Sequence, residues 1–209
     1  MSSIKSPSIG GSTYWGIIID DYTKFKWSIF LKTKGELSEK GAHLLYQINK
    51  VHQIKCIHMD NVGENRSLQQ VLQSSCLNIH FEFTNPDTPQ QNGVAERGLA
   101  SIKSNVKAMM FSANCSPFYM YKLWAECVSL ATFLDNHKIW LGNDKSSYQL
   151  FHGANKMSLP NIPFGAPVIM RAGKVGFRKK WTDADKSVSS WASVPIIHPP
   201  VTELSLIHI

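Results

Sequence analysis

Residues 58–65 read His-Met-Asp-Asn-Val-Gly-Glu-Asn, and the interpretation of the whole chain starts from them. They follow an apolar alternation over residues 54–59 that is typical of a buried strand, and they break at an Asn/Gly turn. Asp60 is therefore predicted at the end of a strand. A second stretch, residues 88–97, reads Thr-Pro-Gln-Gln-Asn-Gly-Val-Ala-Glu-Arg and leads from a polar loop into a helical pattern. Glu96 is therefore predicted in the first turn of a helix.

The spacing of these two carboxylates suggests a metal-dependent site. Thirty-five residues lie between Asp60 and Glu96, and a strand end and a helix start can bring two such side chains together. Mg²⁺ prefers oxygen ligands and is usually held by a few carboxylates together with phosphate oxygens and water. Two such ions roughly 4 Å apart clamp the attacking and leaving oxygens of an in-line phosphoryl displacement. The alternative is that both are surface residues without a joint role.

Taken together, these stretches resemble the integrase catalytic core of copia-type LTR retrotransposons, the D,D-35-E family with an RNase H-like fold. The similarity continues through residues 14–24, 123–127 and 147–153, so that it covers roughly residues 2–153. The resemblance implies 3′-end processing of DNA and its strand transfer by metal-assisted phosphoryl transfer. It makes Asp60 and Glu96 catalytic residues and ligands of Mg²⁺ or Mn²⁺, and it implies element ends and target DNA as partners of a homo-oligomer.

The stretch before the long helix is predicted to be a surface loop, because residues 84–92 combine two prolines with Gln and Asn and hold no apolar anchor. In the resembling family this loop closes over the active site, with Gly93 at its hinge.

The helix that follows presents basic residues away from its apolar stripe. Glu96 and Lys103 are seven residues apart, about two turns, and therefore share a face. The resemblance implies that this face contacts DNA, whereas the alternative is a solvated helix face. The predicted DNA-binding residues are Asn92, Arg97, Lys103 and Lys107.

The predicted fold class is α/β, an RNase H-like mixed sheet flanked by helices, with a small irregular C-terminal appendage. Hydrophobic periodicity predicts strands at residues 14–19, 25–32, 54–59 and 79–83, and helices at residues 36–51, 67–75, from 94 onward and 116–134. Residues 1–138 are assigned to the catalytic core, truncated at its N-terminus. Residues 139–203 are assigned to an appendage with a basic cluster at 171–180. Residues 204–209 resemble the translation of a transposon end used in sequencing libraries, and are interpreted as a non-native tail.

The overall composition agrees with a nucleic-acid-binding globular protein. Twenty-two Lys and Arg residues against fifteen Asp and Glu residues give a net charge of +7, which favours a polyanionic partner. No apolar run is long enough for a membrane span, so no membrane partner is expected. Four cysteines without a C-x-x-C pair predict reduced thiols rather than a zinc site. An intracellular location is expected, in the nucleus or a virus-like particle if the full polyprotein is functional.

One carboxylate of the resembling family has no counterpart in the chain. The family's first Asp stands immediately before the residue that aligns with Met1, so the chain as written is expected to be inactive. Asp20 and Asp21 lie on a different predicted strand and are interpreted as structural. Glu64 is expected to accept backbone hydrogen bonds at a turn for which Gly63 supplies a special backbone angle.

Two other functions remain open at this stage. The chain could be a non-catalytic relic that folds, dimerises and binds DNA. The full gene of an integrase would carry the first Asp, whereas that of a relic would not. It could also be another RNase H-like nuclease, which would cut RNA in hybrids without joining DNA ends.

Overall fold

The computed structural model describes residues 1–75, 77–84, 93–114, 116–140, 142–153, 163–166 and 207–209. Within these ranges the strands are β1 (Ser2–Ser3), β2 (Tyr14–Asp20), β3 (Lys26–Leu31), β4 (Cys56–Met59), β5 (His80–Phe83) and β6 (Ile207–His208). The helices are α1 (Glu36–Val51), α2 (Gly63–Ser74), α3 (Gly93–Ser112), α4 (Pro117–Lys122), α5 (Trp124–His137) and α6 (Ser147–His152).

The sheet is mixed, and its two halves are built differently. β2 and β3 form an antiparallel hairpin in which Tyr14 pairs with Leu31 and Ile19 with Lys26. β4 and β5 are parallel, as a pair joined through a helix, here α2, is expected to be. β1 and β6 both pair with β2 in the antiparallel sense, and β6 also runs parallel to β4. The hairpin and the parallel pair are therefore joined through β6.

β1 and β6 lie in line along the same edge of β2. Ser2 pairs with Trp15, whereas His208 pairs with Ile19. Extending the two registers places Met1 opposite Gly16 and Ile209 opposite Ile18. The start of β1 and the end of β6 therefore flank the position opposite Ile17, which neither segment occupies.

Successive residues of β2 point into cores on opposite faces of the sheet. Ile18 belongs to a core formed with α1, α2 and α6, whereas Ile17 and Ile19 belong to a core formed with α3 and α5. Burial on both faces explains why residues 15–19 read as a continuous apolar run rather than an alternation. The mixed sheet flanked by helices that the sequence predicts is confirmed.

The helical boundaries differ from the sequence prediction in two places. α2 begins at Gly63 rather than near residue 67, so Gly63 is a helical residue and not a turn residue of special angle. The helix predicted over residues 116–134 is two helices, since the backbone turns at Leu123, whose N–H donates to the Tyr119 carbonyl at 2.8 Å. α4 buries none of its residues, so no apolar packing holds it in line with α5.

The predicted appendage and its basic cluster lie largely outside the described residues. Of residues 139–203, the structure describes 139–140, 142–153 and 163–166, which include α6. Residues 207–209 of the predicted tail lie in the sheet, with Ile207 fully buried. No helix in the described ranges is both long enough and apolar enough to cross a membrane.

Candidate metal-binding and nucleic-acid site

Asp60 and Glu96 line the same cavity, which has a volume of about 380 Å³ and is here named the acidic cavity. Its wall includes Ile17 of β2 together with Met1 and Ile209, so the cavity opens where β1 and β6 end. The structure thus brings together the two carboxylates that the sequence singles out, across 35 intervening residues.

Asp60 is positioned by the turn that follows β4. Its backbone carbonyl accepts hydrogen bonds from the Val62 N–H at 2.9 Å and from Asn65 Nδ2 at 2.9 Å. Its carboxylate Oδ1 accepts a hydrogen bond from Thr84 Oγ1 at 3.3 Å. Since Thr84 directly follows β5, the parallel pairing of β4 and β5 fixes both ends of this contact. The Asp-Asn-x-Gly-Glu motif therefore comprises the connection from β4 to α2 and the first two residues of α2.

Glu96 lies in the first turn of α3 and is exposed. A carboxylate is favoured there because the unpaired N–H groups of a helix N-terminus carry partial positive charge. Ala95 and Leu99 line the same cavity, so this face of the helix is directed toward Asp60.

A third carboxylate, Glu64, lines the acidic cavity together with Lys34. Glu64 Oε1 lies 3.2 Å from Lys34 Nζ. A hydrogen bond from its own backbone N–H, together with the Lys34 ammonium, lowers the pKa of the Glu64 carboxyl. The backbone hydrogen bond agrees with the sequence prediction, but Lys34 was missed because nothing in a single sequence links the end of β3 to the start of α2.

Asp20 is the last residue of β2 and Asp21 begins the turn to β3. Neither is among the described residues that line the acidic cavity. Asp20 is fully buried, and its Oδ2 accepts hydrogen bonds from the Thr23 N–H at 2.7 Å and from Thr23 Oγ1 at 2.5 Å. Burial raises the pKa of Asp21, but the hydrogen bond from Lys24 and the charges of Lys24 and His208 outweigh it and lower the pKa overall.

The predicted DNA-binding residues are distributed over different surfaces of α3. Lys103 and Lys107 are exposed on the helix. Arg97 lines a second cavity, of about 580 Å³, here named the basic cavity. Asn92 lies outside the described residues, and the hinge at Gly93, the first residue of α3, stays a prediction.

A divalent cation fits the acidic cavity by the chemistry of its donors. No cluster of three or more metal-ligating side chains occurs in the described part of the chain. Mg²⁺, however, is commonly held by one or two carboxylates with the remaining positions taken by water and substrate phosphate. Asp60 and Glu96 supply hard oxygen donors of that kind on one cavity wall.

Comparison with known proteins finds a similar sequence in a retrotransposon. No protein-family model matches it. Over 131 residues, 62% of the chain, it is 34% identical to the retrovirus-related Pol polyprotein from transposon TNT 1-94 of Nicotiana tabacum. The chain is homologous to a segment of a retrotransposon Pol polyprotein. It spans about 10% of that polyprotein's length.

Two solved structures are similar to this chain. One is a chain of the simian T-cell lymphotropic virus intasome in complex with PP2A regulatory subunit B56 gamma, with a TM-score of 0.51 and 22% identity over 75% of this chain and 53% of that one. The other is the catalytic core domain of BIV integrase, with a TM-score of 0.47 and 18% identity over 67% of this chain and 89% of that one. The first likeness concerns the fold alone. The predicted fold class, an RNase H-like mixed sheet flanked by helices, is confirmed for this chain.

Proposed function

We propose that the chain is part of the catalytic core of a copia-type retrotransposon integrase, which processes and transfers DNA 3′ ends by metal-assisted phosphoryl transfer. The observation that carries the proposal is that Asp60 and Glu96, with 35 residues between them in the chain, line one cavity. The homology to a retrotransposon Pol polyprotein supports the same reading.

In this proposal Asp60 and Glu96 hold Mg²⁺ or Mn²⁺, which would supply Lewis-acid polarisation of the scissile phosphate. The hydrogen bonds of the turn after β4 position Asp60 before substrate arrives, so little reorganisation of this carboxylate is needed at the moment of reaction. Lys34 holds Glu64 as an ion pair at the cavity rim. The exposed cations of α3 would hold the DNA backbone. Element ends and target DNA are the proposed partners of a homo-oligomer, in the nucleus or a virus-like particle.

The register of β1 suggests where the family's first Asp would lie. A residue placed before Met1 would continue β1 to the position opposite Ile17, on the wall of the acidic cavity. We therefore expect the 209-residue chain by itself to join DNA ends poorly. Loss of one preorganised charge-stabilising group costs about a hundredfold to a thousandfold in rate, and loss of a shared metal ligand should cost at least as much.

The test is a joining assay with labelled element-end DNA in Mg²⁺ or Mn²⁺. The 209-residue chain is compared with a form extended at the N-terminus by a strand segment whose last residue, immediately before Met1, is Asp. Activity of the extended form alone is the expected result. In that form, Asp60→Asn and Glu96→Gln should each lower the joining rate by at least about a hundredfold.

The matched control in the extended form is Asp144→Asn, which changes an exposed carboxylate that does not line the acidic cavity. If Asp60→Asn, Glu96→Gln and Asp144→Asn lower the joining rate equally, the assignment of Asp60 and Glu96 as catalytic residues is contradicted. DNA binding without joining by the extended form would favour the relic, and cleavage of RNA in hybrids without joining would favour another nuclease.

A further inference from the structure

The basic cavity lies on the opposite side of α3 from the acidic cavity. The residues of α3 divide between the two: Ala95, Glu96 and Leu99 line the acidic cavity, whereas Val94, Arg97, Gly98 and Ser101 line the basic one. The adjacent residues Glu96 and Arg97 thus face different cavities. A ligand that passes over the first turn of α3 would reach both.

The charge of the basic cavity is suited to an anion. Lys24, Lys26 and Arg97 contribute to its lining, and no Asp or Glu is among the described lining residues. Lys24 is held by Asp21 at 2.6 Å and Lys26 by Asp135 at 2.5 Å. No ion pair involves Arg97 within the described residues, so its guanidinium is available for a phosphate, which it binds through a planar fork of donors.

The aromatic residues of the cavity are suited to a base. Tyr22 is 76% exposed, and Trp140 is 37% exposed with Lys138 Nζ 4.4 Å from its ring centroid. Accessible aromatic rings beside cations are the usual platform on which unpaired bases stack, irrespective of sequence. The cavity volume of about 580 Å³ lies within the range of small-ligand sites. Asn143 adds an amide to the lining.

We propose that the basic cavity binds one unpaired nucleotide of the DNA whose neighbouring phosphate lies in the acidic cavity. This inference rests on the proposed function. A base inside a duplex cannot stack on Tyr22 or Trp140, because its faces are already covered by neighbouring bases. The nucleotide must therefore be a single-stranded or extruded one, and unpaired DNA ends should be preferred to blunt ones.

The first experiment compares the affinity of the full chain for a short blunt duplex and for the same duplex with an unpaired overhang, by fluorescence anisotropy. The overhang should bind roughly 5- to 100-fold more tightly, as expected for stacking of one base on an aromatic side chain. Tyr22→Ala and Trp140→Ala should each reduce this preference while leaving the affinity for the blunt duplex nearly unchanged.

The matched control is Tyr46→Ala, which removes another exposed tyrosine beside a lysine, since Lys50 Nζ lies 4.7 Å from its ring centroid. Tyr46 is on α1, across the sheet from α3, and its replacement should leave the preference intact. Equal effects of Tyr22→Ala and Tyr46→Ala would overturn the inference.

A second experiment uses the unaltered chain and therefore does not depend on any variant folding. 5-Iodouracil in the unpaired overhang should crosslink on irradiation to the peptide that contains Tyr22 or Trp140. Crosslinks confined to the exposed aromatic residues of α4 would overturn the inference. Salt-sensitive binding of both duplexes with no preference for the overhang would overturn it while leaving the proposed function standing. Failure to bind either duplex would overturn both.

Discussion

At the scale of single residues, Gly98 is where α3 approaches β2 most tightly. A Cβ atom at this position would lie 2.2 Å from Ile19 Cδ1, which is far inside van der Waals contact. An added methyl group would therefore require the Ile19 side chain to change its rotamer or α3 to move away from β2. The absence of a side chain at residue 98 therefore sets the distance between the helix that carries Glu96 and the sheet that carries Asp60.

Gly98→Ala is expected to destabilise the chain by about 1–3 kcal/mol, the usual cost of overpacking a core. Urea denaturation measures the free energy of unfolding of the variant and of the unaltered chain. The control is Gly35→Ala, where an added Cβ meets nothing within 4 Å and the backbone φ of −62° suits any residue. If both variants unfold at the same urea concentration, the close approach of α3 to β2 is not a constraint.

At the scale of elements, polar side chains on β3 pair with polar side chains on α5. Along β3 the polar residues Lys26 and Ser28 alternate with Trp27 and Ile29, as in a strand with one polar face. In the structure, Lys26 Nζ donates to Asp135 Oδ2 at 2.5 Å, and Ser28 Oγ lies 2.7 Å from Thr132 Oγ1. Asn136 exchanges two hydrogen bonds with the Lys26 backbone. The polar face is therefore covered by a helix rather than by water.

Asp135→Ala should destabilise the chain by about 3–5 kcal/mol, because it leaves the Lys26 ammonium buried without its partner. The double variant Lys26→Met with Asp135→Leu should recover most of this loss, since it removes both charges. The control is Asp21→Ala, which breaks the exposed pair with Lys24 and should cost less than about 1 kcal/mol. The free energy of unfolding of the unaltered chain and the three variants is measured by chemical denaturation. Similar losses of stability for Asp135→Ala and Asp21→Ala would contradict a buried pair.

α6 is held by a cluster of rings that includes three histidines. Burial, followed by the charges of His52 and His137, lowers the pKa of His152 from 6.5 to about 4. Its ring lies 4.6 Å from that of Tyr148 and 5.4 Å from that of Phe25. The folded chain thus binds this proton less readily than the unfolded chain between pH 4 and 6.5.

Stability should consequently rise with pH across that interval and be lost as the pH falls from 6.5 toward 4. His152→Gln should remove a part of this dependence, on the order of 1 kcal/mol once partial exposure is allowed for. The free energy of unfolding at the two ends of the interval is the measurement. His43→Gln, at an exposed position on α1, should leave the slope unchanged, and a slope unaltered by His152→Gln would count against the ring cluster as its source.

At the scale of the whole molecule, the net charge of +7 predicts binding to DNA that weakens steeply with salt. Lys103 shares the helix face of Glu96, whereas Lys50 lies on α1, which packs on the other face of the sheet. Lys103→Glu should weaken binding to DNA ends and lower the salt dependence, measured by anisotropy over a range of salt concentrations. The control Lys50→Glu changes the net charge by the same amount. If both variants lose the same affinity for DNA ends, binding depends on the overall charge and not on the position of Lys103.

The sequence by itself determined the order of most elements and the local position of both carboxylates. Hydrophobic periodicity and turn residues are local signals, and they place Asp60 directly after a strand and Glu96 at a helix start.

Other features depend on packing between distant segments, which no single sequence displays. The ion pair of Lys26 with Asp135 joins residues 109 positions apart, and the Lys34–Glu64 pair joins the connection between β3 and α1 to helix α2. Only the tertiary structure decided that Glu96 and Arg97 face different cavities, because the sheet beneath α3 fixes the rotation of the helix. The same is true of residues 207–209, whose place between β2 and β4 follows from unpaired strand edges and buried apolar surface rather than from any local pattern.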